Sequence, residues 1–277
     1  MRVEAERVMR SALYVPCDHV RALAKTATLP ADAFIFDLED GVAPAAKAAA
    51  RDHIGSLTLP NAYCMLRVNH RSTAAYTEDM ALFSHLPVHA VMLSKVHDVS
   101  DIDDACALLI QHDRSELAIW ANIETPHGVA QAEAICAHPR IAGVVVGTND
   151  LANDLRVRIT PDRLALRYSL QRVQLAARAF GKTVLDGTFV TLNDSEGFKA
   201  ECEQGRQLGF DGKTLIHPSQ IELANAIFGP TADDKAWAKE VIRLYDVAQV
   251  EDKAVTLMDG QMIEALHYRR AKEILAQ

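Results

Sequence analysis

Several common signatures are missing from this 277-residue chain, and each absence removes a class of function. No run of eighteen apolar residues occurs, so no membrane partner is expected. No cluster of five or more Lys or Arg occurs and the net charge is −8, which disfavours a nucleic-acid partner. The opening MRVEAERVMRS carries Glu4 and Glu6 and no apolar h-region, so a secretory signal is not expected. Cysteine is sparse: Cys17, Cys64, Cys106, Cys136 and Cys202 are odd in number, scattered, and include no C-x-x-C pair. They read as reduced thiols of a cytoplasmic protein, not as zinc ligands or a disulfide framework. Cys17 alone invites a second reading, because it ends a strand candidate. No Gly-x-Gly-x-x-Gly turn supports a doubly wound dinucleotide-binding sheet.

What is present is a regular alternation. With 49% hydrophobic and 24% charged residues, the chain can bury one large core. Short apolar strand candidates lie at residues 11–16, 33–40, 62–69, 90–96, 117–124, 141–147, 183–187 and 212–217. Their near-continuous apolar character, as in Val144-Val145-Val146, suits parallel strands covered on both faces. Helical stretches fill the intervals. Thr160-Pro161-Asp162 has the pattern of a helix start, Leu166, Leu170, Val173 and Ala177 share a face, and Gly181 can close the helix in the left-handed region. Parallel strands with crossover helices, repeated eight times, are most economically closed into a (β/α)8 TIM barrel over residues 1–228. Residues 229–277 form a C-terminal helical extension. There Trp237, Val241, Leu244 and Ala248 mark one helix, Met258-Asp259-Gly260 a turn-prone stretch, and Ile263 to Leu275 a final helix.

In such a barrel the C-terminal strand ends face the mouth. The polar residues at those ends are Asp37, Glu39, Asp40, Arg67, Asn69, Lys95, Glu124, Asn149, Asp150, Asp186 and His217. Glu124 and Asp150 end neighbouring strands, and two close carboxylates repel each other unless a proton or cation lies between them. A hard dication, Mg²⁺ by preference, would suit an all-oxygen set with no His/Cys cluster. The competing reading is that each acid caps the following helix, for Asp37 and Asp40 more than for Glu124. Arg67 offers a bidentate fork for a carboxylate or an enolate oxygen, or an ion pair with a neighbouring strand-end acid. Lys95 and His217 are lining residues or phosphate contacts, and Asp186 a hydrogen-bonding partner in the rim.

The segments RSALYVPCDHVRALAKTATLPADAFIFDLEDGVAP, LRVN, IETPHGV, GTNDLANDL and GFDGKTLIHPSQI resemble, in order, the blocks of the citrate lyase β-subunit/malyl-CoA lyase family of the HpcH/HpaI aldolase superfamily. The resemblance runs from about Arg10 to Leu275. It implies a TIM barrel, Mg²⁺ with Mn²⁺ as a substitute, and a coenzyme A thioester substrate. It further implies homotrimers or hexamers in which a neighbouring subunit lays the C-terminal lid over the mouth. Matched position by position, Glu124 and Asp150 fall on the metal ligands, with Glu124 also beside the substrate. Arg67 falls on the arginine that holds a substrate oxygen, and Tyr14 and Lys25 on substrate and CoA contacts. Glu264 falls on the lid acid, which is usually Asp in relatives. A second departure is Pro16-Cys17-Asp18 in place of Pro-Gly-Ser. The expected activity is cleavage or formation of the C–C bond of a short hydroxy-dicarboxylyl-CoA such as malyl-, β-methylmalyl- or citramalyl-CoA. The alternatives are hydrolysis of (3S)-malyl-CoA on the same scaffold, a citrate lyase β-subunit that needs an acyl-carrier partner, and a CoA-binding protein without catalysis.

Overall fold

The computed structural model describes residues 8–250 and 252–276. The reading of the N-terminus from Glu4 and Glu6 lies outside the described residues. Contact clustering divides the chain into two compact units, one ending at Asn225 and the other beginning at Ala226.

The first unit is a closed barrel of eight parallel strands in sequential order, β1 pairing with β8. The strands are β1 (Ser11–Pro16), β2 (Ala33–Asp37), β3 (Tyr63–Val68) and β4 (Ala90–Leu93), then β5 (Ala118–Ile123), β6 (Ile141–Val146), β7 (Thr183–Asp186) and β8 (Gly212–Leu215). Each falls inside its expected segment, and all but β1 stop one to three residues short of the expected end. The residues past the ends leave the ladder to build the rim.

Alternation along each strand decides which side chains meet. Ala12, Ala33, Ile35, Met65, Ala90, Met92, Trp120, Val145 and Leu185 point inward and pack into one buried cluster. The indole of Trp120 spreads across the interior against Gly143, where any Cβ would overlap the ring. The outward set, including Phe34 and Phe36, is buried under the helices. Continuing the inward parity upward brings Tyr14 and Pro16, Asp37, Arg67, Asn122 and Glu124, Gly147, Gly187, and Thr214 and Ile216 to the mouth.

The same parity sends Asp186 outward, which corrects its assignment to the rim. Asp186 is fully buried between the barrel and its helices. It accepts two hydrogen bonds from Arg163 Nη1, at 2.7 and 2.9 Å, and one from Lys213 Nζ at 3.0 Å. Lys213, also fully buried, reaches Glu201 at 2.7 Å.

The helices are α1 (Val20–Lys25), α2 (Lys47–Gly55), α3 (Ala75–Ala81), α4 (Val99–Gln111), α5 (Pro126–Ala130), α6 (Ala132–Ala137), α7 (Thr148–Asp154), α8 (Arg167–Ala179), α9 (Ser195–Gln207) and α10 (Ile221–Phe228). The helix expected at Thr160 starts later, at Arg167, because Arg163 takes a left-handed conformation (φ 48°). That turn carries its guanidinium inward to Asp186 and Gln204, and the ion pair overrides the local start signal. Gly181 does adopt positive φ (63°) after α8.

The second unit contains α11 (Ala232–Val250), the antiparallel hairpin β9 (Thr256–Met258) and β10 (Gln261–Ile263), and α12 (Ala265–Ala276). Ala238, Val241, Ile263, Ala271 and Ile274 form its core. The turn-prone stretch is therefore a hairpin, and Ile263 belongs to a strand. Asp259 and Gly260 both take positive φ, 50° and 80°, as a two-residue hairpin turn requires. Among the described residues, no helix is long and apolar enough to cross a membrane.

Burial opposes ionisation of Asp186, but the charges of Lys213 and Arg163 outweigh it and hold its carboxyl below the usual carboxylate range. A depressed carboxyl contributes stability above its unfolded pKa of about 3.9, and that stability is lost as pH falls through the folded value. Asp186→Asn leaves two buried cations with Glu201 as their remaining acid. It should cost about 3–5 kcal/mol of unfolding free energy by urea titration at pH 7. The difference from the parent should shrink as pH falls below about 4.

Candidate active site

At the C-terminal end of the barrel a cavity of about 320 Å³ opens between the strand ends. Its wall includes Tyr14, Asp37, Asp40, Arg67, Asn122, Glu124, Asn149 and Asp150, with Gly147, Gly187 and Thr214 as the small residues that leave it open.

Arg67 is fixed from several sides. Its Nε and Nη2 donate to the two oxygens of Asp37 at 2.7 and 2.6 Å, and Nη1 lies 3.0 Å from Glu39 Oε2. The guanidinium carbon stands 4.7 Å from the centroid of the Tyr14 ring, a cation–π contact. Asp37 is committed on its other lone pairs to the backbone N–H groups of Glu39 and Gly41, at 2.8 and 2.9 Å. Asp37 therefore organises the loop after β2 and orients Arg67 at once. The ion-pair reading of Arg67 is met, and it leaves one N–H on each terminal nitrogen for a ligand.

Glu124 is only 3% exposed. The Lys95 backbone N–H donates to its Oε1 at 2.8 Å, from a residue in the left-handed region (φ 48°), and the Asn122 amide donates to Oε2 at 2.6 Å. It does not cap α5. That role belongs to Thr125, whose hydroxyl accepts from Gly128, with Pro126 in the first turn. Burial pushes the Glu124 carboxyl up to about 8; the Arg67 charge works against that rise, and Glu39 and Asp150 add to it. Asp150 stands in the first turn of α7, its side chain 40% exposed. The Lys95 ammonium lies among Glu39, Asp40 and Asp150, at 2.6, 3.1 and 3.4 Å.

Of the residues singled out from the sequence, Tyr14, Arg67, Glu124, Asn149, Asp150, Asp37 and Asp40 do meet in this cavity. Asn69 turns aside to Leu38 and Asp79, and His217 caps the turn Pro218–Gln220 from an exposed position. Lys25 is exposed at the end of α1 and is not among the lining residues. Glu264 belongs to the second unit, half-buried between β10 and α12. Cys17 is buried, with burial and then Asp37 pushing its thiol well above the usual range, which removes the reading of a reactive cysteine. Asn122, two residues before Glu124 on one strand face, was legible from period-2 alternation but carries no charge to draw notice.

The match to known proteins rests on these same segments. The family model for HpcH/HpaI aldolase/citrate lyase covers residues 10–218. The chain belongs to this family. A (3S)-malyl-CoA thioesterase of Cereibacter sphaeroides is 42% identical over 273 residues, spanning 97% of this chain and 94% of the relative. A citrate lyase subunit beta-like protein of Deinococcus radiodurans is 32% identical, covering 97% of each chain. Among solved structures, CitE of Mycobacterium tuberculosis in complex with magnesium, acetoacetate and coenzyme A superposes with a TM-score of 0.81 at 28% identity, covering 96% of each chain. Family members are thus enzymes of citrate lyase β-subunit and malyl-CoA thioesterase type.

Gly147 faces Glu124 so closely that any Cβ would overlap its Cβ and Oε2. Gly147→Ala should displace Glu124 and cost about 1–3 kcal/mol in denaturant unfolding, a typical overpacking penalty.

Proposed function

We propose that the chain is a magnesium-dependent hydrolase of a short hydroxy-dicarboxylyl-CoA thioester of the malyl-CoA type, with C–C bond cleavage of the same esters as the second reading. The observation that carries it is an under-compensated buried acid, Glu124, in a cavity shared with Asp150 and Arg67. This is joined to 42% identity with a named thioesterase along almost the whole chain. The lyase reading is favoured by the likeness to the citrate lyase subunits and to the magnesium- and CoA-bound CitE.

The residues fit the ion. Lys95 answers Glu39 and Asp40 closely and Asp150 at 3.4 Å, whereas the hydrogen bonds to Glu124 come from two neutral N–H dipoles. Among the described residues no group of three or more His, Cys, Asp or Glu could hold a metal. A site of two carboxylates, completed by water and substrate oxygens, is the arrangement magnesium accepts. Glu124 and Asp150 would hold it, with Mn²⁺ as a substitute. When bound, it supplies Lewis-acid polarisation of an acyl oxygen.

Arg67, held rigid by Asp37 and Tyr14, offers its two remaining N–H groups to the substrate carboxylate or thioester oxygen. Pre-orientation of this kind lets binding energy be spent on geometry. Lys25 is assigned to the CoA portion. Glu264, contributed by a neighbouring subunit of a trimer or hexamer, is assigned proton transfer. In hydrolysis it takes a proton from the attacking water as oxygen adds to the thioester carbon, and the C–S bond then breaks to release CoA thiolate, which is protonated. In C–C cleavage it would instead deliver a proton to the carbon left behind. The extra methylene of Glu relative to Asp lengthens its reach. The hairpin β9–β10 that precedes Glu264 exposes Leu257 and Met262, apolar surface suited to a lid.

Assayed with malyl-CoA and magnesium, the purified chain should release free thiol and malate. Glyoxylate with acetyl-CoA would establish the lyase, silence relieved by an acyl-carrier partner the subunit role, and binding without turnover a CoA-binding protein. Glu264→Gln should lower kcat by about 10²–10⁴-fold; full turnover would remove its assignment.

With its carboxyl near 8, metal-free Glu124 is largely protonated at pH 7. Magnesium binding should therefore release about one proton per chain, with affinity rising as pH approaches 8. Calorimetry in buffers of different ionisation enthalpy measures this. Binding without proton release would mean that Glu124 is already ionised or is not a ligand, and loss of binding in Glu124→Gln separates the two.

A further inference from the structure

Asn122 has no part in the proposed chemistry beyond its contact with Glu124, yet its geometry is that of a group awaiting a partner. It is 2% exposed and lines the cavity. Its Nδ2 donates to Glu124 Oε2 at 2.6 Å, the orientation that an ionised Glu124 requires, since the reverse would set a carbonyl against a carboxylate. Oδ1 is thereby turned away from Glu124, buried and without a hydrogen-bond partner. Buried acceptors are rarely left so in native proteins. Gly147 lies beside it with no side chain to fill the gap: a Cβ there would stand 3.2 Å from Oδ1 and overlap Glu124 Oε2, so only a backbone without a side chain fits at this part of the cavity wall.

A group of the acyl chain that pairs with this oxygen has to donate a hydrogen bond. The carboxylate and thioester oxygens of a short dicarboxylyl-CoA only accept. The hydroxyl is the one group of such an acyl chain that donates. Resting on the proposed function, we infer that Asn122 Oδ1 accepts the hydrogen bond of the substrate hydroxyl and so selects hydroxylated over plain dicarboxylyl chains. An acceptor built for a hydroxyl penalises a chain that lacks one, because the acceptor then stays unpaired and desolvated. Asn122 is neutral, so it sets this preference without adding to the negative charge already crowding the mouth.

The test is direct binding by calorimetry to the full-length protein with magnesium. The probes are thioether analogues of malyl-CoA and succinyl-CoA, in which a methylene replaces the acyl carbonyl so that neither ester can react. The parent should prefer the hydroxylated analogue by about tenfold, the worth of one well-placed hydrogen bond. Asn122→Leu should abolish the preference, lowering affinity for the hydroxylated analogue about tenfold more than for the succinyl analogue, whatever loss both share through the broken contact to Glu124. Asn122→Asp, which keeps an acceptor and loses the donor to Glu124, should retain it. Asn122→Ala serves in the same way if the leucine variant does not fold.

Equal weakening of both analogues by Asn122→Leu would mean that the residue serves only to hold Glu124, and would overturn the inference. Loss of the preference in Asn122→Asp as well would do the same. Failure of the parent to bind either analogue would instead sink the proposed function, and this inference with it.

Discussion

Negative charge is crowded at the barrel mouth, and the rest of the site follows from how that crowding is answered. Asp37, Glu39, Asp40, Glu124 and Asp150 stand within reach of Arg67 and Lys95. Arg67 satisfies Asp37 and part of Glu39, and Lys95 takes the remainder of Glu39 together with Asp40. Glu124 is contacted by two N–H dipoles, and the charge of nearby Arg67 does not offset its burial, so it stays hard to ionise. A dication is a natural answer to that surplus, and a substrate rich in oxygen is a natural complement to the dication.

The barrel separates its two uses of charge by strand parity. Inward-facing Asp37, Arg67 and Glu124 border the cavity, where incomplete compensation leaves capacity for a ligand. Outward-facing Asp186 and Lys213, with Arg163 and Glu201, close a network sealed from water. A sealed network of this kind contributes little as a sum of pairs but makes each member costly to remove. It also ties β7 and β8 to the turn before α8 and to α9, opposite the polar side of the mouth. One set of charges thus borders the cavity while the other serves the scaffold.

Much of the arrangement was legible from residue order. The eight strand segments could be read from short apolar runs, and the left-handed Gly181 from its place after a helical stretch. Tyr14, Arg67, Glu124 and Asp150 could be named from position and from family resemblance. The failures have physical causes. Asp186 was misplaced because a strand end identifies a height in the barrel, not a face, and the face depends on a one-residue parity. The start of α8 was misplaced because Arg163 serves a tertiary ion pair, which outweighs a local Thr-Pro-Asp signal. The hairpin around Asp259-Gly260 was read as a turn without strands because three residues on either side are too few to show alternation.

Residue order determined that parallel strands would alternate with helices and that acids would gather at one set of strand ends, since both follow from local patterning. It determined the family as well, through blocks spread along the chain. The fold decided which of those acids would be paired and which would be left short of a cation, because pairing depends on distances across strands that are far apart in sequence. It also decided that an uncharged amide in the cavity wall, Asn122, would hold an unmatched oxygen. Nothing in a one-dimensional reading distinguishes that oxygen from any other until the partners around it are in place.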